Sequence, residues 1–277
     1  MHTGRDFPDL RVHVDRLHTG TRYVVTSREA GASNGPFARG NLAVHVGDAP
    51  EAVAINRAAL ARTLSAPKGL AFIGAAHAAE VAWADRPGTY EGVDALVTES
   101  EGLGVVALGA DCAVIGLAAV RENATPIVAV AHCGWRGLVS DVIGAVVSRV
   151  KEAGGREVMA VLGPAICAKC YRVDVERISQ VQRACSPQVV DAAVVSGTST
   201  DSAFGLDIGA GARARLRELD VRVVSEFGCT AEDPRWFSHR RTICRDGANA
   251  LTGRHALALV VEHGGSSRSS GGADDDR

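Results

Sequence analysis

Ile127-Val128-Ala129-Val130-Ala131-His132-Cys133-Gly134-Trp135-Arg136-Gly137-Leu138-Val139 joins three signals in one segment. Its apolar start reads as a buried strand. His132 and Cys133 close that strand, and glycines then frame a Trp-Arg pair. Beyond the turn Val139, Val142, Ile143, Val146, Val147 and Val150 recur with the 3.6-residue period, which predicts a helix following His132 directly. A buried strand that delivers ionisable side chains and turns at once into a helix belongs to a sheet covered by helices.

The flanking sequence extends that pattern. Leu70–Ala75, Glu80–Ala84, Ala95–Thr98, Leu103–Gly109 and Ala113–Val120 read as strands upstream, and Val158–Leu162, Val221–Ser225 and His255–Glu262 downstream. Asp48-Ala49-Pro50-Glu51 has the form of a capping box opening a helix to about Leu64. Val173–Cys185 and Phe204–Leu219 look helical. Links as short as that between Gly109 and Ala113 favour hairpins over βαβ crossovers. The expected fold class is α/β (α+β), a mixed β-sheet flanked by helices in one domain over residues 11–263. Residues 1–10 form an N-terminal tail, and the Gly-, Ser- and Asp-rich residues 264–277 a disordered one.

The composition is that of a globular chain: 277 residues, 46% hydrophobic and 22% charged. A formal net charge of -2 with dispersed Lys and Arg argues against nucleic acid as a partner. Gly104–Val120 is long and apolar, but Asp111 interrupts it, so it reads as two strands and no membrane span is expected. Met1–Arg16 lacks the apolar centre of a secretory signal, which predicts a cytoplasmic protein. Seven cysteines in such a compartment stay reduced, and metal binding or catalysis explains selected ones better than disulfides.

Three strand ends carry the chemistry: His77, Cys112 and His132 each close an apolar run. One thiolate and two imidazoles suit Zn2+, and three protein ligands leave a position open for water or substrate. Against this, a Cys in an apolar run is more often an inert core residue, and the spacing matches no short metal motif. Cys133 rivals His132 as ligand, but alternation along a strand lets only one of the two face the metal. Gly134-Trp135-Arg136-Gly137 puts N–H groups and a guanidinium where an anion could bind, and equally fits an ordinary tight turn. Cys167-Ala168-Lys169-Cys170 has CxxC spacing without a second pair, and Cys229 and Cys244 stand singly, so these read as core or loop cysteines. Gly102–Ala107 fits a dinucleotide fingerprint only on paper, because it opens a strand instead of leaving one for a helix.

Several blocks together resemble a known family. Arg39-Gly40-Asn41-Leu42-Ala43-Val44-His45-Val46-Gly47-Asp48, Ala110-Asp111-Cys112, Ala131–Leu138, Gly163-Pro164-Ala165-Ile166 and Phe237-Ser238-His239-Arg240-Arg241 occur in the order of the YfiH-like laccase-domain family. The similarity runs from about Tyr23 to Val261. It implies a single-domain sandwich of mixed β-sheets flanked by helices, a zinc site at His77, Cys112 and His132, and phosphorolysis of adenosine, inosine, guanosine and methylthioadenosine with adenosine deamination alongside. The chain departs from the pattern at Ala75, where Gln is usual, at Cys133 for Ala, and at His239 for Tyr.

On this reading purine nucleosides and phosphate are the partners. Cys112, His132 and Arg136 are catalytic, while Asn41, His45 and Arg136 bind phosphate and ribose. Asn41 equally suits a turn former, and His45 a core histidine. Two rivals remain: a copper polyphenol oxidase, since Cys and His also suit copper, and a non-catalytic role such as binding a cell-wall precursor.

Overall fold

A computed structural model describes residues 10–196 and 204–262. The expected tails lie outside these residues except for Leu10, which is buried. Two six-stranded mixed sheets stack face to face. The first runs in the order Val12–Asp15, Thr21–Thr26, His255–Val261, Gly104–Gly109, Leu70–Gly74, Gly88–Glu91, antiparallel up to Gly104–Gly109 and parallel beyond. The second runs Arg222–Glu226, Arg156–Leu162, Ala113–Val120, Pro126–Cys133, Ala95–Thr98, Val81–Trp83, with parallel pairs only at its edges. Three short strands form a small third sheet.

Alternation along the strands fills three apolar layers. Val105 and Ala107 of the first sheet meet Val114, Ala118, Val128 and Val130 of the second between the sheets. Val106 faces the other way, towards the helix Pro50–Leu64. Ile127, Ala129, Ala131 and Cys133 face the helices Val142–Glu152 and Ile208–Glu218. With both faces covered, strands such as Ala113–Val120 are buried almost throughout, which is why they read as continuous apolar runs. Gly116 permits the close stacking: a Cβ there would stand 2.5 Å from Leu259 and 2.9 Å from Val161.

Several expectations need correction. Gly109 and Ala113 do not bound a hairpin; their strands belong to different sheets, and the link crosses between them. Both strands are two-faced, so nothing in their patterning distinguishes a hairpin from a crossover. The helix after His132 is two helices, Trp135–Val139 and Val142–Glu152, because Asp141 adopts a left-handed conformation (φ 58°) and caps the second through Gly144 N–H. Asp48 does not cap its helix. Its carboxylate accepts from Ser33 Oγ at 2.6 Å and Asn41 Nδ2 at 2.9 Å, leaving Ala49 as an N-cap with no side-chain bond. Phe204–Leu206 is a strand, and the helix begins at Ile208 under the Asp207 cap. No helix among the described residues is long and apolar enough to cross a membrane.

Candidate active site

The ends of Leu70–Gly74, Gly104–Gly109 and Pro126–Cys133 open into a cleft of about 510 Å³ whose walls include His77, Cys112 and His132. Strand parity decides between His132 and Cys133. His132 continues the face of Val128 and Val130, whereas Cys133 points into the helix-covered core and is fully buried.

His132 Nδ1 lies 2.9 Å from the Leu108 carbonyl. An imidazole N–H must donate there, so Nε2 carries the lone pair. That Nε2 is buried and has no hydrogen-bond partner among the described residues. Burial lowers the pKa of His132, keeping the ring neutral at pH 7. The His77 ring stands edge-on at a centroid distance of 5.2 Å.

His77 adopts a left-handed backbone (φ 58°) because the fully buried Asp94 carboxylate accepts the N–H groups of His77 (2.8 Å) and Ala78 (2.7 Å). The Asp94 carbonyl also accepts the His132 N–H at 2.8 Å, so one residue sets both histidines.

Cys112 follows a second strained residue, Asp111, at φ 114°. Its carbonyl accepts Ile166 N–H at 2.9 Å. Its carboxylate accepts Thr230 Oγ1 and, at the start of the helix His239–Asp246, Arg240 N–H, both at 2.6 Å. Burial pushes the Cys112 thiol up to about 11, so it ionises only with a cation beside it. Gly134 clears space for it, since a Cβ there would fall 2.8 Å from the sulfur.

These features fit a metal ion: an unpartnered imidazole lone pair of fixed tautomer, with a second imidazole and a thiol lining the same cleft. The fit is open, not closed. Among the described residues, the set whose ligand atoms all lie within 4.8 Å of one another is a different one, Cys167, Cys170 and Cys229.

Two arginines and Glu91 bring charge to the cleft besides the histidines. Arg254 and Arg57 are largely desolvated; their guanidiniums bond only backbone carbonyls among the described residues, and Arg57 lies 3.8 Å over the Phe72 ring. His45 shares this wall, its pKa lowered by desolvation and then by Arg254 and Arg57. Cys112 and His239 separate the cleft from a second cavity of about 250 Å³ bearing Trp135 and Tyr171.

Two expected substrate contacts lie elsewhere. Asn41 is fully buried and spent: Nδ2 donates to Ala43 O and Asp48, and Oδ1 accepts from Ala43 N–H and Arg254 N–H. It shapes the loop that carries His45. Arg136 is exposed at the rim, 4.6 Å from the Trp135 ring, and near enough to His77 to help lower its pKa. The helix it starts has only five residues, too short to supply the dipole an anion site would use. Asp94, Arg57 and Arg254 join the site without a sequence signal. Arg57 sits on a helix and Arg254 before a strand, with no motif marking either.

The family model described as multi-copper polyphenol oxidoreductase laccase matches residues 22–262. The chain belongs to this laccase-domain family. Among relatives of the laccase-domain chain, proteins named purine nucleoside phosphorylase share 35% identity over 234 residues in Streptomyces coelicolor, covering 80% of this chain and 90% of the relative. In Mycobacterium tuberculosis the figures are 32% over 264 residues, 90% and 98%. YlmD from Geobacillus stearothermophilus has the same fold, with a TM-score of 0.74 at 27% identity over 88% of this chain and 93% of that one. So does the Bacillus licheniformis hypothetical protein YfiH, at a TM-score of 0.77 and 24% identity over 88% and 94%.

Proposed function

We propose that the chain is a zinc-dependent purine nucleoside phosphorylase acting on adenosine, inosine, guanosine and methylthioadenosine, with adenosine deamination as a second activity, and working in the cytoplasm. The observation that carries the zinc site is the buried Nε2 of His132, without a hydrogen-bond partner among the described residues, in the cleft that His77 and Cys112 also line. These three residues would hold the ion, which supplies a Lewis acid. The relatives named purine nucleoside phosphorylase support the reaction class.

The chain's own groups divide the work. Arg57 and Arg254, desolvated cations on the cleft wall, suit the phosphate. His45, neutral beside them, can donate a hydrogen bond to phosphate or ribose. Trp135 and Tyr171 line the adjoining cavity, with Arg136 and Arg177 over the first ring and Arg240 over the second, so a nucleoside lying across Cys112 and His239 meets aromatic and guanidinium groups there. Arg136 at the rim raises the local potential without reaching into the cleft.

Adenosine with phosphate is expected to give adenine and ribose 1-phosphate, identified by mass. His132→Ala is expected to lose that turnover together with the metal. Unchanged turnover in His132→Ala would sink the site assignment. The description of the matching family model favours copper oxidation as the second reading. Bound copper and oxygen uptake with a phenol would support it; zinc and no uptake would remove it.

A further inference from the structure

Outside the cleft, a turn and a bridge gather three thiols. Cys167-Ala168-Lys169-Cys170 is a tight turn closed by Cys170 N–H and Tyr171 N–H on the Cys167 carbonyl, at 3.1 and 2.9 Å. Cys229, 62 residues further on than Cys167, is brought beside it by a parallel bridge to Ala165 and accepts the Cys167 N–H on its sulfur at 3.4 Å. Lys169 and Glu232 tie the two loops across the outside at 2.9 Å. All three thiols are free and partly exposed, with sulfurs within 4.8 Å of one another.

We infer that Cys167, Cys170 and Cys229 form a second metal site, for a thiophilic d10 cation such as zinc. Zn–S bonds of about 2.3 Å put sulfurs on a tetrahedral ion about 3.8 Å apart, so the cluster needs a contraction of about 1 Å at most. Thiolates select soft ions over magnesium, calcium or manganese. Loading breaks three S–H bonds, forms three Zn–S bonds and releases three protons to solvent. No fourth His, Cys, Asp or Glu joins the set among the described residues, so water or a small solute completes the shell.

The site also has a mechanical link to the cleft. Ile166, beside Cys167, donates its N–H to the Asp111 carbonyl, and Thr230, beside Cys229, donates its hydroxyl to the Asp111 carboxylate. An ion across the cysteines therefore fixes the two loops that hold Asp111, and through it Cys112.

The reduced full chain carrying Cys112→Ser, which lacks the cleft thiolate, is dialysed against buffered zinc and its metal counted. Adding Cys229→Ser is expected to lower the count by one equivalent and to abolish the thermal shift that zinc gives the parent. In the wild-type chain, zinc is expected to shield Cys167, Cys170 and Cys229 from N-ethylmaleimide, mapped by peptide mass, while the exposed Cys244 still reacts. This second measurement needs no variant to fold. Equal labelling of all four cysteines with and without zinc overturns the proposal, as does a zinc count unchanged by Cys229→Ser.

Discussion

Gly134→Ala changes one hydrogen into a methyl, yet it aims that methyl at the Cys112 sulfur 2.8 Å away. Gly134 has an extended backbone (φ -86°, ψ -170°) that alanine adopts freely, so the cost falls on the sulfur and not on the turn. Because misplacing a reactive group by an ångström can cost about 100-fold, steady-state phosphorolysis is expected to fall at least 10-fold while the thermal midpoint moves little. A large loss of stability with normal activity would contradict that division. Asp94 supports the site from behind. Asp94→Asn replaces an acceptor with an amide that points its own hydrogens at a backbone N–H. Loss of such a supporting bond typically weakens metal affinity about 10- to 100-fold, and zinc competition with a chromophoric chelator is expected to fall in that range. Neither residue advertises its role. Gly134 looks like any turn glycine, and Asp94 like a polar residue before a strand, because their importance lies in contacts with the distant Cys112 and His77.

Elements show where periodicity succeeds and where it is blind. Val142, Ile143, Val146, Val147 and Val150 are all buried, as their spacing requires, each contributing about 1.5–3 kcal/mol by removal from water. The same apolar face runs on to Val139, which conceals the break at Asp141, since hydrophobic spacing carries no information about one left-handed residue. Asp141 receives two bonds from Arg215, Nε at 2.8 Å and Nη2 at 2.6 Å, besides capping Gly144. The pair is partly exposed, so screening leaves the ion pair a minor share. The cap dominates. Asp141→Ala is expected to cost about 1–2 kcal/mol, roughly 4 °C in thermal midpoint for a chain of this size. Asp141→Asn, which keeps the cap and tolerates the left-handed backbone, is expected to recover most of it. Equal losses in the two variants would put the stability in the Arg215 pair instead.

At the scale of the whole molecule, strand patterning pointed to a mixed sheet covered by helices; that the strands divide into two stacked sheets came only with the family resemblance, and the assignment of each strand to one sheet or the other was not legible. Gly104–Gly109 and Ala113–Val120 have the same character and differ only in long-range partners. Those partners also create the buried environment of His255, paired with Gly109 and packed 5.8 Å from Trp236. Burial, then the charge of Arg254, outweigh the opposing contact with the Pro164 backbone and hold its pKa at about 3. The unfolded chain binds that proton at about pH 6.5. Stability is therefore complete above about pH 6.5 and lost as pH falls towards 3, at up to about 1.4 kcal/mol per pH unit. Lowered values at His45, His77 and His132 act in the same direction, so the share of His255 must be isolated by difference. Metal-free wild type and His255→Leu are compared by urea unfolding at pH 7.5 and 5.5. The variant is expected to lose about 1 kcal/mol less than wild type over that interval, whatever its stability at pH 7.5, because leucine takes up no proton in either state. Parallel losses would mean that the folded chain protonates His255 as readily as the unfolded one, and the pH sensitivity would then belong to the cleft histidines.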